Sequence, residues 1–190
     1  KFAIGRGDDF VTAGLQVLWD KAGSVALNTT HLLPAVNYHK SMNSDKNRYV
    51  SIGFIGGLVS RSLDRSKVTT NNQYDGFGYN DSLPDGETFA TNYSYFDAGV
   101  GMSYNSSLGD SKDNNFFVGL AYHHFNRPIN SFYQKLQHLP KWVASGGVRT
   151  TMGDFSYLTL NADFSMQGPF KELIGGAMYS YKFGDYAVPD

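Results

Sequence analysis

Two adjacent histidines, His123 and His124, close the aromatic run FFVGLAY. Imidazole nitrogens bind zinc and exchange protons near neutral pH, so such a pair is a candidate metal or acid–base site. The residues before them alternate as in a β-strand, where successive side chains point to opposite faces, so the two rings should not converge on one ion. The other three histidines follow no metal-site spacing. We therefore expect structural or interfacial histidines, with no metal and no other cofactor.

Two carboxylates on the polar faces of predicted strands, Asp97 and Asp163, are the second candidate for chemistry. They could form an acid–base pair, or they could join Arg149 in ion pairs lining an interior. The chain has no cysteine, hence no thiol nucleophile and no disulfide, and it carries no G-x-S-x-G motif. We predict structural roles for Asp97, Asp163 and Arg149 and no catalytic residue. The sequence contains no catalytic motif, so an active site could arise only from residues that the fold brings together.

The composition narrows the class of protein. The formal net charge is -1 over 190 residues, so the chain has no basic surplus with which to bind nucleic acid. Charged residues make up 17%, against ~25% in typical soluble domains, whereas aromatic residues reach 15%. Such a balance suits either a tightly packed β-protein or one that faces lipid.

Strict alternation of apolar and polar residues is the dominant pattern. In Tyr95–Asn105 one face carries Phe, Ala, Val, Met and Tyr, while the other carries polar residues or glycine. This alternation continues for ten or more residues, whereas soluble strands average ~5–6. We expect no helix, and an irregular second strand because it contains Pro34. About eight strands are predicted: 10–19, 32–39, 49–60, 95–105, 116–124, 142–151, 156–166 and 173–183.

The connections between these strands favour a membrane barrel. Two are long, near 61–94 and 126–141, and in an up-and-down meander both leave the same end, as in outer-membrane barrels. The strands reach the ~9–11 residues that cross a bilayer, and Tyr or Trp often ends their apolar face. We predict one all-β domain over 1–190, an antiparallel up-and-down transmembrane β-barrel of the outer-membrane type. Glycines on the polar faces indicate a roomy lumen or bends in the wall.

Three alternatives stay open at this point. A soluble β-sandwich, such as an adhesin or a carbohydrate-binding module, would also alternate, but it would bury its apolar faces between two sheets. A small channel or a transporter of hydrophobic solutes would have a continuous open lumen. An outer-membrane enzyme is the third alternative.

Several segments in order resemble one family, PorP/SprF of the type IX secretion system in Bacteroidota. They are WDKAG at Trp19–Gly23, SLDRSKVTTNNQYDG at Ser62–Gly76, YFDAGVGMSYNSS at Tyr95–Ser107, FFVGLAYHHFNRPINSF at Phe116–Phe132 and LPKWVASGGVRT at Leu139–Thr150. The resemblance implies an outer-membrane barrel without enzymatic activity that helps export adhesins or hold them at the cell surface. The partners it implies are outer-membrane lipid, periplasmic ring and lipoprotein components, and an adhesin client with a C-terminal sorting domain. Family members are typically longer, with a signal peptide and further strands, so we expect a partial or truncated barrel.

Partner-binding residues are predicted on the two long connections, within Asp64–Tyr79 and Asn126–Phe132. These segments mix Asp, Asn, Tyr and Gly, a composition typical of recognition surfaces, although a long solvated loop would look similar. The predicted residues are Asp64, Arg65, Lys67, Tyr74, Asp75, Tyr79, Asn126, Arg127 and Phe132.

Overall fold

The computed structural model describes residues 2–4, 7–43, 48–109 and 113–183. These residues form a single nine-stranded antiparallel sheet in which each strand pairs with its neighbours in the chain. No helix in the described ranges has the length and apolar character needed to cross a membrane. The strands are β1 (Phe2–Ala3), β2 (Phe10–Ala22), β3 (Leu27–Asn43), β4 (Arg48–Ser62), β5 (Asn92–Ser107), β6 (Asn115–His123), β7 (Lys141–Gly153), β8 (Ser156–Gln167) and β9 (Phe170–Tyr181).

The eight predicted strands correspond to β2 through β9, and β1 is a two-residue addition. Seven of these eight strands are longer than predicted, because backbone pairing continues past the point where the apolar alternation ends, and β6 keeps the predicted length of 9 residues. The longest strands, β3, β4 and β5, have 17, 15 and 16 residues, more than the ~9–11 needed to cross hydrocarbon. Two expected turns, 43–45 and 109–111, lie mostly outside the described residues.

The expected irregularity at Pro34 is local, since β3 continues through Pro34 but its pairing with β4 is interrupted there. Pro34 faces Leu15 of β2, whereas Leu33 and Pro34 have no partner on β4, and the register resumes unchanged at Ala35. Proline lacks the N–H that this side of the ladder would use. The neighbouring strand compensates with Gly57, where a Cβ atom would collide with the Leu32 carbonyl and the Leu33 Cα.

The apolar face of the sheet points outward and stays exposed. Val100, Leu160 and Phe164 are each 43% exposed, whereas a soluble sandwich would bury all three. In the described part of the chain the buried hydrophobic residues are Leu33, Val59 and Ala98, too few for a water-soluble core. The structure therefore confirms the transmembrane barrel architecture over the sandwich.

The opposite face of the sheet, here called the lumen face, is small and polar. On β4, Ser51, Gly57 and Val59 are buried, while Ile52 and Leu58 on the other face are exposed. About 520 Å³ of space lies against the lumen face between β3 and β7. Several glycines lie along it, so the room predicted for the lumen is present.

The sheet is open within the described ranges, as expected for a partial barrel. Its outermost strands, β1 and β9, each pair with one neighbour, β2 and β8 respectively. Most of β9 is exposed on both faces, because no second wall covers its lumen side.

An acidic residue fixes the segment that enters β2. Asp9 accepts hydrogen bonds from the Tyr38 hydroxyl at 2.7 Å, the Lys40 ammonium at 2.8 Å and the Ser41 N–H at 2.8 Å. Hydrogen bonding by Lys40, then by Tyr38 and Ser41, lowers the pKa of Asp9 to about 2. A depressed carboxyl pKa stabilises the fold above the ordinary value near pH 4, and that contribution is lost as pH falls towards 2.

Adjacent residues on β8 test which face meets lipid. Leu160→Arg places a charge in hydrocarbon and should cost about 2–4 kcal/mol, whereas Asn161→Arg places the same charge in the lumen and should change stability little. Urea unfolding of the chain in phospholipid vesicles, followed by heat-modifiable gel migration, gives both free energies. Equal losses for the two variants would contradict the assignment of faces.

Candidate functional site

Both long connections leave the same end of the sheet, here called the loop end. The first long loop (63–91) joins β4 to β5, and the second long loop (124–140) joins β6 to β7. Two short turns, 23–26 and 168–169, share this end, and the other end carries only short connections. β3 to β5 are longer than a bilayer crossing requires, so part of each strand extends beyond the hydrocarbon.

Hydrogen bonds and one ion pair hold the first long loop in shape. The Arg65 guanidinium pairs with the Asp85 carboxylate at 2.6 Å and lies over the Phe89 ring at 4.6 Å. The backbone carbonyl of Asp85 accepts from the Thr70 hydroxyl at 2.7 Å and from the Asn72 amide at 3.2 Å. Asp85 thus joins the beginning of the loop to its end.

A small hairpin projects from this loop. Tyr74 and Tyr79 pair across it, and the Asp75 carboxylate accepts from the N–H groups of Phe77 and Gly78, both at 3.0 Å. Those two backbone donors, Phe77 first, lower the pKa of Asp75. The turn is therefore fixed by a carboxylate that stays ionised, and the aromatic side chains remain exposed.

The second long loop covers a free edge of β5. β6 ends at His123, opposite Gly99, whereas β5 begins at Asn92, so about 20 Å of β5 extends beyond its neighbour. The loop supplies donors to this edge: the Phe125 N–H reaches the Ala98 carbonyl at 3.3 Å and the Asn126 amide reaches the Phe96 carbonyl at 2.7 Å. Loop atoms thus take the place of a neighbouring strand.

The two adjacent histidines do not point to opposite faces, which corrects the expectation from strand alternation. His124 lies just past β6 with φ 57°, a left-handed conformation that turns its ring back to the lumen side. His123, His124 and Asp97 therefore line one cavity of about 240 Å³. No group of three His, Cys, Asp or Glu residues in the described part of the chain is placed to hold a metal ion.

His124 ties the second long loop to the wall. Its Nδ1 lies 2.8 Å from the Asp97 carboxylate, and its ring stacks on His138 with centroids 4.0 Å apart. The Asp97–His124 contact is therefore an anchor for the loop. Asp163, the other candidate carboxylate, accepts from the Ser145 hydroxyl, and Arg149 lies 3.7 Å over the Tyr157 ring.

Asn130 joins the second long loop to β4 and β5. Its carboxamide oxygen accepts from the Tyr93 hydroxyl at 2.6 Å and from Arg61 at 3.4 Å, and its amide nitrogen lies 3.4 Å from His138 Nδ1. Beside it, the Phe132 ring packs edge-on against Tyr93, 4.6 Å between centroids. The Phe132 carbonyl also accepts from the Ala90 N–H at 2.8 Å, so the two long loops form one connected surface.

The nine predicted partner-binding residues divide into three groups. Asp64, Arg65, Asp75, Asn126 and Phe132 make the internal contacts that hold the loops, Asp64 by accepting from the Ser66 hydroxyl at 2.6 Å. Lys67 makes a 3.5 Å exposed pair with Asp64, a weak interaction. Those with exposed side chains free of charge pairing are Tyr74, Tyr79 and Arg127.

Sequence reasoning missed Asp85, Asn130, Tyr93 and His138, the residues that connect the loops. The side chains to which they hydrogen-bond lie 8 to 69 positions away in the chain, so no local pattern marks them. The only available signal was the abundance of Asn and Asp in segments between strands.

Comparison with known proteins adds one match. The family model described as "Type IX secretion system membrane protein PorP/SprF" matches residues 3–185, which include every strand from β2 onward and both long loops. A search of curated proteins and a search of solved structures each returned no match. The family match confirms the resemblance carried by the motifs.

Asn130→Ala should loosen the second long loop. It removes the acceptor for Tyr93 and Arg61, and at about 0.5–1.5 kcal/mol for each hydrogen bond it should raise the open population roughly fivefold to a hundredfold. Hydrogen exchange of residues 124–140 measures this opening. Gln134→Ala, at an exposed site in the same loop, should leave hydrogen exchange unchanged. Equal effects of the two variants would contradict the role of Asn130 in holding the second long loop.

His138 should titrate below its usual pKa of ~6.5. Burial lowers the pKa of His138 first, and the neighbouring His124 lowers it further. Since the unfolded form takes up the proton at higher pH, neutral His138 stabilises the docked loop fully above pH ~6.5, and this stabilisation is lost as pH falls to the folded pKa. NMR titration of the His138 ring protons measures the value.

The comparison variant for this titration is His124→Phe, which keeps a ring beside His138 but removes the imidazole nitrogen that bonds to Asp97. The pKa of His138 should then rise towards ~6.5. A His138 that titrates at its ordinary value in the unaltered chain would contradict the docked position of the loop.

Proposed function

The chain belongs to the PorP/SprF family of type IX secretion system membrane proteins, and from this membership we propose that it is a non-enzymatic outer-membrane component of that system. The observation that carries the proposal is the family match over residues 3–185, joined to a strand wall whose outer face is apolar and exposed. Strands of this kind cross the outer membranes of bacteria, whereas spans in other bacterial membranes are helical.

We propose that the lipid of the outer membrane holds the wall, while the two ends of the sheet meet different partners. The short connections would face the periplasm, as in other outer-membrane barrels, and meet ring or lipoprotein components of the secretion machine. The loop end would then face the cell exterior. There the chain would help export an adhesin with a C-terminal sorting domain or hold it at the surface.

The second long loop is the proposed contact for the adhesin client. Arg127, Tyr133 and Leu136 are exposed on it, and Arg and Tyr are enriched among residues that dominate binding energy. Its backbone is already anchored by His124 and Asn130, so little ordering would be needed on binding. A fixed loop that presents a cation beside apolar side chains suits a folded protein domain.

No bond-making step is part of this proposal. The Asp97 carboxylate and the His124 ring lie 2.8 Å apart and anchor the loop. We therefore propose that the protein binds and retains its client without a catalytic step.

A pull-down of the chain from native outer membranes in mild detergent, followed by mass spectrometry, tests the proposal. Secretion ring proteins, lipoproteins or a large adhesin should co-purify. A preparation that recovers none of these, and that conducts ions through a continuous pore in planar bilayers, would instead support the channel alternative.

Substitutions on the second long loop locate the client contact. The double variant Arg127→Ala, Tyr133→Ala should reduce recovered client about tenfold or more, since truncation of a dominant contact costs more than ~1 kcal/mol for each residue. Phe77→Ala, which removes an exposed aromatic ring from the first long loop, is the matched control and should retain the client. Unchanged recovery in the double variant would move the contact elsewhere.

A further inference from the structure

We propose that a pocket on the first long loop binds a neutral saccharide. It encloses about 250 Å³ beside the projecting hairpin, a size suited to one sugar ring rather than to a drug-sized ligand. Six residues line it: Thr69, Thr70, Asn71, Gln73, Tyr74 and Tyr79. The site is separate from the client contact on the second long loop.

Two tyrosines form the apolar part of the pocket. Hydrogen bonds Asp75 N–Gly78 O at 3.1 Å and Asn80 N–Gln73 O at 2.7 Å lie on either side of the Tyr74–Tyr79 pair. Residues paired in this way project to the same face of a hairpin. Tyr74 and Tyr79 are 61% and 56% exposed, so their rings are available to pack against the C–H face of a sugar.

Hydroxyl and amide groups form the polar part. The side chains of Thr69, Asn71 and Tyr79 have no hydrogen-bond partner within the described residues, so they can bond to a ligand. A side-chain amide both donates and accepts, as each hydroxyl of a sugar does. Gln73 differs, since it is buried and bonds to the Thr70 N–H at 3.1 Å and the Leu83 carbonyl at 3.4 Å. Gln73 therefore holds the shape of the pocket.

The lining of the pocket carries no charge, which favours a neutral ligand. None of the six lining residues is ionisable at neutral pH, and the nearby charges have partners: Arg65 with Asp85, and Lys67 with Asp64. The Asp75 carboxylate accepts hydrogen bonds from the backbone N–H groups of its own turn. A phosphate or a charged peptide would meet no opposite charge in this pocket. A sugar ring would meet aromatic rings for its C–H face and hydroxyl and amide groups for its own hydroxyls.

The loop is also organised in advance for binding. The Thr70 hydroxyl and the Asn72 amide both bond to the Asp85 carbonyl, and the short 3₁₀ turn Asn71–Gln73 fixes the position of Asn71. Binding therefore needs little loss of loop entropy. The same saccharide chemistry could come from the glycan of lipopolysaccharide in the same membrane or from polysaccharide outside the cell.

The test measures binding of the full chain, purified in detergent, to defined glycans. Calorimetry and gel retardation are run with neutral glucan, mannan, galactan and xylan, and with lipopolysaccharide from the producing bacterium. At least one should bind. Tyr79→Ala should raise its dissociation constant about threefold to tenfold by loss of ring stacking, and Asn71→Ala should weaken binding to a similar extent. Tyr79→Phe should retain most of the affinity.

Phe77→Ala is the matched control, because Phe77 is fully exposed on the same hairpin but does not line the pocket. Its affinity should equal that of the unaltered chain. Equal losses with Phe77→Ala, or no binding to any of these glycans, would overturn the proposal. Binding to lipopolysaccharide alone assigns the membrane source, and binding to a free polysaccharide assigns the external source. Client recovery depends on the second long loop, so a failure here leaves the proposed secretion role standing.

Discussion

Hydrocarbon offers no hydrogen-bond partner to a peptide group, and this constraint shapes the whole chain. Backbone N–H and C=O groups that cross the membrane need partners on a neighbouring strand, which is why β2 to β9 form one antiparallel sheet in which each strand pairs with the next. The same constraint places apolar side chains outside and small polar ones inside, the reverse of a soluble domain. Val100 and Phe164 are exposed for this reason, and Ser51 on the lumen face is buried.

The constraint is relaxed where the wall leaves the membrane, and the loops occupy that zone. The upper edge of β5 lacks a strand partner beyond Gly99, which would be costly in hydrocarbon. The second long loop satisfies it with one backbone N–H and the Asn126 amide. Irregular backbone can do so because water is at hand for the remaining groups. The second long loop therefore lies at the end of the sheet where β5 extends beyond β6.

Local pattern predicted the wall well and the loop end poorly, for a physical reason. One face of each strand meets lipid and the other meets the lumen, so apolar and polar residues alternate along the whole strand. The apolar residues Leu158, Leu160 and Phe164 therefore identify β8 from its own sequence, without information from the neighbouring strands. The position of His124 depends instead on one left-handed residue after the strand ends. The continuity of β3 through Pro34 could not be read locally, because the compensating Gly57 lies 23 positions later and on another strand. The candidate site depends on such distant pairs, Asp85 with Arg65 and Asn130 with Tyr93.

The loop end has no apolar core of its own, so polar contacts must give it a defined shape. Asp85, Asn130 and the His124–Asp97 pair each join segments that are distant in the chain. Phe89 and Phe132 pack within these contacts, whereas the rings of Tyr74, Phe77, Tyr79 and Tyr133 remain exposed. A soluble domain would bury such rings to gain stability. Here the membrane stabilises the wall, so the aromatic residues of the loops remain available for recognition.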